Sequence, residues 1–200
     1  PYSGSIAQNV PFTSSTDNAT YYYQISNVNV NTKYILPTSY PITINTLDGL
    51  TDDRESMWVI REAGQDADGL LTYYTICNAY TSEYLCYVGS ASDRGTEKVL
   101  KMMSATAEGY SADKAQFVIA QSKNGYNIIP KLIVDNTRDT NGSGHTKASY
   151  NCINRSSSKD VLGTWLDTDD NSHWTFTQVT DPVSCLEPIV TLDNDNARFS

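Results

Sequence analysis

The chain of 200 residues carries a formal net charge of −9, with 39% hydrophobic and 18% charged residues. That balance describes a globular chain long enough to bury a core, as one domain or one domain and part of another, and it excludes intrinsic disorder. With no run of Lys or Arg, nucleic acid and anionic membrane surfaces are poor partners, and no stretch approaches the ~20 apolar residues of a membrane span.

Residues 1–19 are polar and aperiodic. They read as a leader or edge segment, from a mature or trimmed start at Pro1-Tyr2-Ser3, with one short strand around Val10-Pro11-Phe12. Tyr21-Tyr22-Tyr23-Gln24-Ile25-Ser26-Asn27 is aromatic and β-branched and ends in Asn, a strand signal. A turn leads to Lys33-Tyr34-Ile35-Leu36, Pro37 and Pro41 break the pattern, and Ile42-Thr43-Ile44 alternates again. Asp48-Gly49 and Asp52-Asp53 mark a loop before Trp58-Val59-Ile60. The same order then returns. Leu71-Thr72-Tyr73-Tyr74-Thr75-Ile76-Cys77-Asn78 is followed by Tyr84-Leu85-Cys86-Tyr87. A polar excursion over 89–113 holds Val99-Leu100-Lys101-Met102, and Phe117-Val118-Ile119 closes the unit. The third pass is the most degraded: Gly125-Tyr126-Asn127-Ile128-Ile129-Pro130, a strand completed by Leu132-Ile133-Val134, a Gly/Asn/Thr-rich loop, strands over 149–153 and 161–165, then Trp174-Thr175-Phe176.

Three stretches share one pattern: Ser56-Met57-Trp58-Val59-Ile60, Ala115-Gln116-Phe117-Val118-Ile119 and Ser172-His173-Trp174-Thr175-Phe176. Their aromatics are 59 and 57 residues apart. Near-equal spacing of one local pattern is the mark of a drifted internal repeat. No amphipathic helix of three turns interrupts the strands. Short strands with turns between them, in three units of about four, predict an all-β chain folded as a β-trefoil with units of about 20–65, 66–124 and 125–179. A single unit cannot bury its apolar face, so the three must close together. Fourteen tyrosines against four phenylalanines suit half-buried sheets and polar binding faces.

The strand ending in Asn, the following Tyr-Ile or Tyr-Leu, and the small-or-polar residue, spacer and aromatic resemble the ricin-type β-trefoil (ricin B-like lectin) family. The resemblance covers roughly residues 20–179. The chain departs from that family's Gln-x-Trp signature, since Ser56, Ala115 and Ser172 stand at its first position. The strand pair is also similar to trefoil modules in large exported proteins of Bacteroidetes-type bacteria. The segment 180–200, with Glu187-Pro188-Ile189-Val190 after Asp181-Pro182, resembles a linker and the first strands of a following immunoglobulin-like domain. The resemblance implies a secreted or cell-surface, non-catalytic carbohydrate-binding module, monomeric as a module, whose partner is a plant, host or microbial glycan. The other reading is a scaffold or inhibitor-like trefoil with no sugar binding.

Sugar recognition needs an aromatic face for the apolar side of the ring and amides or carboxylates for its hydroxyls. Carried over from the family, the candidates are Asp48 with Tyr40 in the first unit and Asp93 with Tyr87 or Tyr110 in the second. In the third they are Asp135, Asn136 and Trp165. Trp58, Phe117 and Trp174 are read as structural core markers rather than stacking platforms. The run Asp167-Thr168-Asp169-Asp170-Asn171 fits the first positions of a calcium loop, but Ser172 and Gln178 replace the Gly and Glu that loop needs, so it reads as a solvated acidic turn. No metal or cofactor is expected. His145 and His173 have no nucleophile paired with them by sequence, so catalysis is not expected. If the loop between the second unit's first strands is 80–83, Cys77 faces Cys86. That pair is then a disulfide in an oxidising compartment or two core thiols in a reducing one.

Overall fold

The computed structural model describes residues 6, 8–37, 40–67, 69–91, 97–136, 151–156 and 159–180. Twelve strands and one short helix follow the chain: β1 (Tyr22–Asn27), β2 (Tyr34–Ile35), β3 (Ile44–Asn45), β4 (Trp58–Gln65), β5 (Thr72–Asn78), β6 (Tyr84–Tyr87), β7 (Leu100–Met103), β8 (Gln116–Gln121), β9 (Tyr126–Pro130), α1 (Lys131–Asn136), β10 (Asn151–Arg155), β11 (Leu162–Leu166) and β12 (Trp174–Val179). β1, β4, β5, β8, β9 and β12 pair in a closed antiparallel ring. The remaining strands form three hairpins, β2–β3, β6–β7 and β10–β11. The fold is a β-trefoil. Closure leaves the barrel strands no free edge, which is how three incomplete sheets become one stable core.

The pseudo-threefold is written in the strand register. Tyr23 lies opposite Trp58, Tyr74 opposite Phe117 and Tyr126 opposite Trp174. On their other sides the same aromatics face Asn78, Pro130 and Asn27. Trp58, Phe117 and Trp174 are fully buried, as are Ile25, Ile76 and Ile128, two places beyond the tyrosines. Alternation with period 2 sends each of these sets to the barrel interior.

Each repeated stretch begins in a 3₁₀ turn, at Asp53–Ser56, Ala112–Ala115 and Asp170–Ser172, then enters a barrel strand through its aromatic. The small residue is buried at the end of the turn. Two of the aromatics also anchor the hairpins. Trp58 Nε1 donates to the Ile35 carbonyl at 3.1 Å, and Trp174 Nε1 to the Ile153 carbonyl at 2.9 Å. Phe117 has no such donor.

Three local expectations change. Residues 10–12 are not a strand. Phe12 is instead buried, with its ring centroid 5.1 Å from Tyr74, 5.4 Å from Phe176 and 6.1 Å from Tyr23, so the leader packs against the barrel. Leu132-Ile133-Val134 belongs to α1, because Pro130 takes the place of the strand-ending Asn and its missing N–H cannot begin the turn that the other units use. Cys77 faces Tyr84, not Cys86, and both thiols are free. The reason is Asn78, whose Oδ1 accepts from the Tyr80 and Thr81 backbone amides while its own backbone N–H donates to the Glu83 carbonyl. The loop therefore starts one residue earlier and the register shifts by two. Burial raises the Cys77 thiol and pushes Cys86 up to about 12, far from thiolate chemistry. The segment 180–200 lies outside the described residues beyond Thr180.

Candidate functional site

The sequence candidates scatter. Asp48 is exposed in a turn, while the Tyr40 hydroxyl donates to the Lys98 carbonyl at 2.5 Å and the Lys101 ammonium sits 5.3 Å from its ring centroid. Tyr40 is thus engaged with the second unit, and no hydrogen bond joins it to Asp48. Tyr87 is fully buried with its hydroxyl on the Ser90 carbonyl, so it offers no face to a ligand. Tyr110 is half-buried against Tyr84 and a small cluster of Cys86, Met103 and Ala115, and burial pushes its hydroxyl upward. Asp135 accepts from the Tyr73 hydroxyl at 2.5 Å and from Lys131 at 2.6 Å. It belongs to the packing of α1 on the barrel rather than to a pocket with Trp165. Asn136 ends α1. Asp93 and His145 lie outside the described residues.

Trp165 is different. It stands on β11, 40% exposed, in an open cleft of about 260 Å³ lined also by Glu97, Asn154, Ser156, Gly163, Thr164, Asp169 and Asn171. The β10–β11 hairpin places these residues: Cys152 lies opposite Trp165, and Asn154 opposite Gly163. The polar groups come from the 3₁₀ turn that precedes Trp174. Asp169 caps that turn, its Oδ1 accepting from the Asn171 amide at 2.8 Å and from Asn154 Nδ2 at 3.3 Å. Asn154 Nδ2 also donates to Ser172 Oγ at 2.9 Å. Asn171 Oδ1 accepts from Asn29 Nδ2 at 3.0 Å and from the Arg155 guanidinium at 3.4 Å. Asp169 Oδ2 and Asn171 Nδ2 make no hydrogen bond among the described residues. One acceptor and one donor are therefore held in place by their own partner atoms, in a cleft that Trp165 also lines. Such preorganisation is what a recognition site needs.

Glu97 closes the far side from the second unit. It accepts from Ser156 Oγ at 3.0 Å and from Lys159 at 3.2 Å, and these bonds, Ser156 first, hold its carboxyl below the usual range. Among the described residues no group of His, Cys, Asp or Glu is arranged to hold a metal ion.

Sequence reasoning named Trp165 but not Asn154, Asp169, Asn171 or Glu97. The acidic run 167–171 was the available signal, read there as a solvated turn; nothing local tells that Asp169 and Asn171 face the hairpin.

No protein-family model and no curated protein matches the sequence. Solved structures do match in fold. The lectin of Polyporus squamosus, bound to a human-type influenza-binding epitope, is 17% identical with a TM-score of 0.56, over 82% of this chain and 49% of that one. The chain thus spans about half the length of that lectin. The ricin B-like lectin of Macrolepiota procera in complex with lactose is 15% identical with a TM-score of 0.54, over 84% and 98%. A designed three-fold symmetric protein, ThreeFoil, is 15% identical with a TM-score of 0.51, over 79% and 99%. At these identities the likeness establishes the β-trefoil fold.

Proposed function

We infer that this chain is a non-catalytic, lectin-like carbohydrate-binding module of an exported multidomain protein, and that its glycan sits in the Trp165 cleft. The observation that carries this reading is the exposed indole next to a preset acceptor, Asp169 Oδ2, and a preset donor, Asn171 Nδ2. A pyranose stacks its C–H face on the ring and exchanges hydroxyl hydrogen bonds with those two atoms. The cleft is open, so recognition is weak and suited to a chain end or an exposed residue of a polysaccharide. The lectins similar in fold hold glycans, which supports the same class of ligand here.

Matched positions in the other units lack the platform. Register puts Asn45 and Met103 where Trp165 stands. One indole-based site per module is therefore the reading, and avidity between such platforms would have to come from other modules.

A glycan array followed by calorimetric titration of the best hits tests this. Trp165→Ala is expected to weaken binding about tenfold, since ring stacking is worth ~0.5–1.5 kcal/mol beyond the area buried. Asp169→Asn keeps the capping oxygen but removes the carboxylate, so it should reduce affinity with the melting temperature nearly unchanged. Binding that is indifferent to both substitutions would refute the site, and no binding across the array would refute the function.

A further inference from the structure

The acidic turn has two sides. Asp169 and Asn171 line the Trp165 cleft, whereas Asp167, Thr168, Asp170 and His173 line a second one of about 330 Å³, completed by Ile6, Ala120, Gln121, Ser122, Lys123, Asn127 and Ile129. This second cleft lies where the β8–β9 turn meets the start of β12.

His173 is the spacer of the third repeated stretch and is only 3% exposed. Its Nε2 lies 2.9 Å from the Asp167 carbonyl oxygen. A carbonyl only accepts, so Nε2 carries a proton; in the neutral ring Nδ1 is then an acceptor. Among the described residues Nδ1 has no hydrogen-bond partner, and neither does the buried Oγ of Ser122. Buried polar groups nearly always have a partner, because leaving one unmet costs ~1–3 kcal/mol. Both residues line one cleft, with these two atoms beneath its surface. One needs a donor, and the other can donate or accept. The spacer position does not require histidine, since Met57 and Gln116 occupy it in the other units.

We propose that this cleft is a second small-molecule site, which takes a hydroxyl-bearing neutral ligand of monosaccharide size through His173 Nδ1 and Ser122 Oγ. A hydroxyl both donates and accepts, and so meets both groups at once. The apolar wall of Ile6, Ala120 and Ile129 suits the C–H surface of such a ligand. Asp167 and Asp170 outweigh Lys123 in charge, which disfavours anions. With no exposed aromatic in its lining, the cleft should bind more weakly than the Trp165 cleft and independently of it.

The test is titration of the whole chain with galactose, glucose, mannose and N-acetylglucosamine separately, followed by ¹⁵N NMR of backbone amides and imidazole nitrogens. At least one sugar should shift the Ser122, Lys123 and His173 signals, and those shifts should persist in Trp165→Ala. His173→Gln, which copies the second unit, and Ser122→Ala should each weaken that response about tenfold while the rest of the spectrum stays dispersed. The proposal is overturned if none of the four sugars moves those signals, which would leave buried water as the partner of both groups. It is also overturned if the shifts disappear in Trp165→Ala or survive both substitutions in the cleft. If the sugars move these signals but none moves the Trp165 signals, that counts against the lectin reading and not against this one.

Discussion

The hairpins of the second and third units occupy equivalent places but differ in chemistry. In the third, Cys152 lies opposite Trp165; in the second, Tyr84 lies opposite Met103. The second unit keeps its aromatic on the first strand, where it packs with Tyr110 over Met103, Cys86 and Ala115. In the third unit the small thiol is buried and the large ring stands on the partner strand, 40% exposed. One hairpin has been turned into core and the other into a platform. The barrel beneath is the same in both, with Tyr74 opposite Phe117 and Tyr126 opposite Trp174. The threefold frame therefore constrains the residues that face the axis, and leaves the outer hairpin positions able to diverge.

The largest effect should come from the frame. Trp174→Ala removes a fully buried indole and is expected to cost about 3–5 kcal/mol in urea unfolding. Trp174→Phe makes the third unit resemble the second. It should cost less, about 1–3 kcal/mol, mainly by leaving the buried Ile153 carbonyl without its donor. If Trp174→Phe were neutral, the indole would not anchor the hairpin.

The matched hairpin positions should then respond in opposite ways. Met103→Ala is expected to cost about 2–5 kcal/mol of stability and leave glycan affinity alone. Trp165→Ala should change stability by no more than about 1 kcal/mol and lose affinity. Equal stability losses would show that Trp165 is a packing residue and would remove the contrast between the units.

The smallest effect is a pH dependence at the seam between the first and third units. Asp160 pairs with Lys33 across that seam and with Arg155 at 2.7 Å, and these partners, Lys33 first, hold its carboxyl below the usual range. A lowered folded pKa means the contribution to stability is fully present above the unfolded value of ~3.9 and is lost as pH falls through the folded one. Asp160→Asn should flatten the acid limb of stability and lower stability slightly at neutral pH. Asn tolerates the positive φ of 51° found there, so the turn itself should persist. An unchanged acid limb would mean that the seam pair contributes nothing.

Much of the architecture was legible in the chain. The aromatics at 58, 117 and 174 mark where each unit enters its closing barrel strand, because period-2 alternation and an interior that accepts only large apolar groups leave a repeating trace. The strands over 21–27 and 71–78 were equally plain. The turn after Asn78 was not, because a side-chain amide that captures two backbone N–H groups shifts the register without altering the hydrophobic pattern, and Cys77 came to face Tyr84 instead of Cys86. Pro130 likewise turned an apolar run that reads as a strand into α1.

The candidate site was legible only as one residue, Trp165. Asp169 and Asn171 lie in an acidic run whose local signal is that of any exposed turn, and Asn154 and Glu97 come from other parts of the chain. Sequence by itself determined the threefold barrel, since burial of the repeated aromatics is demanded wherever the chain goes. Only the tertiary structure decided the candidate clefts. Packing the Asp170–Ser172 turn between the β10–β11 hairpin and the β8–β9 turn puts Asp169 and Asn171 in one cleft and Asp170 and His173 in another, and hydrogen bonds from distant strands fix how the Asp169 and Asn171 side chains are turned.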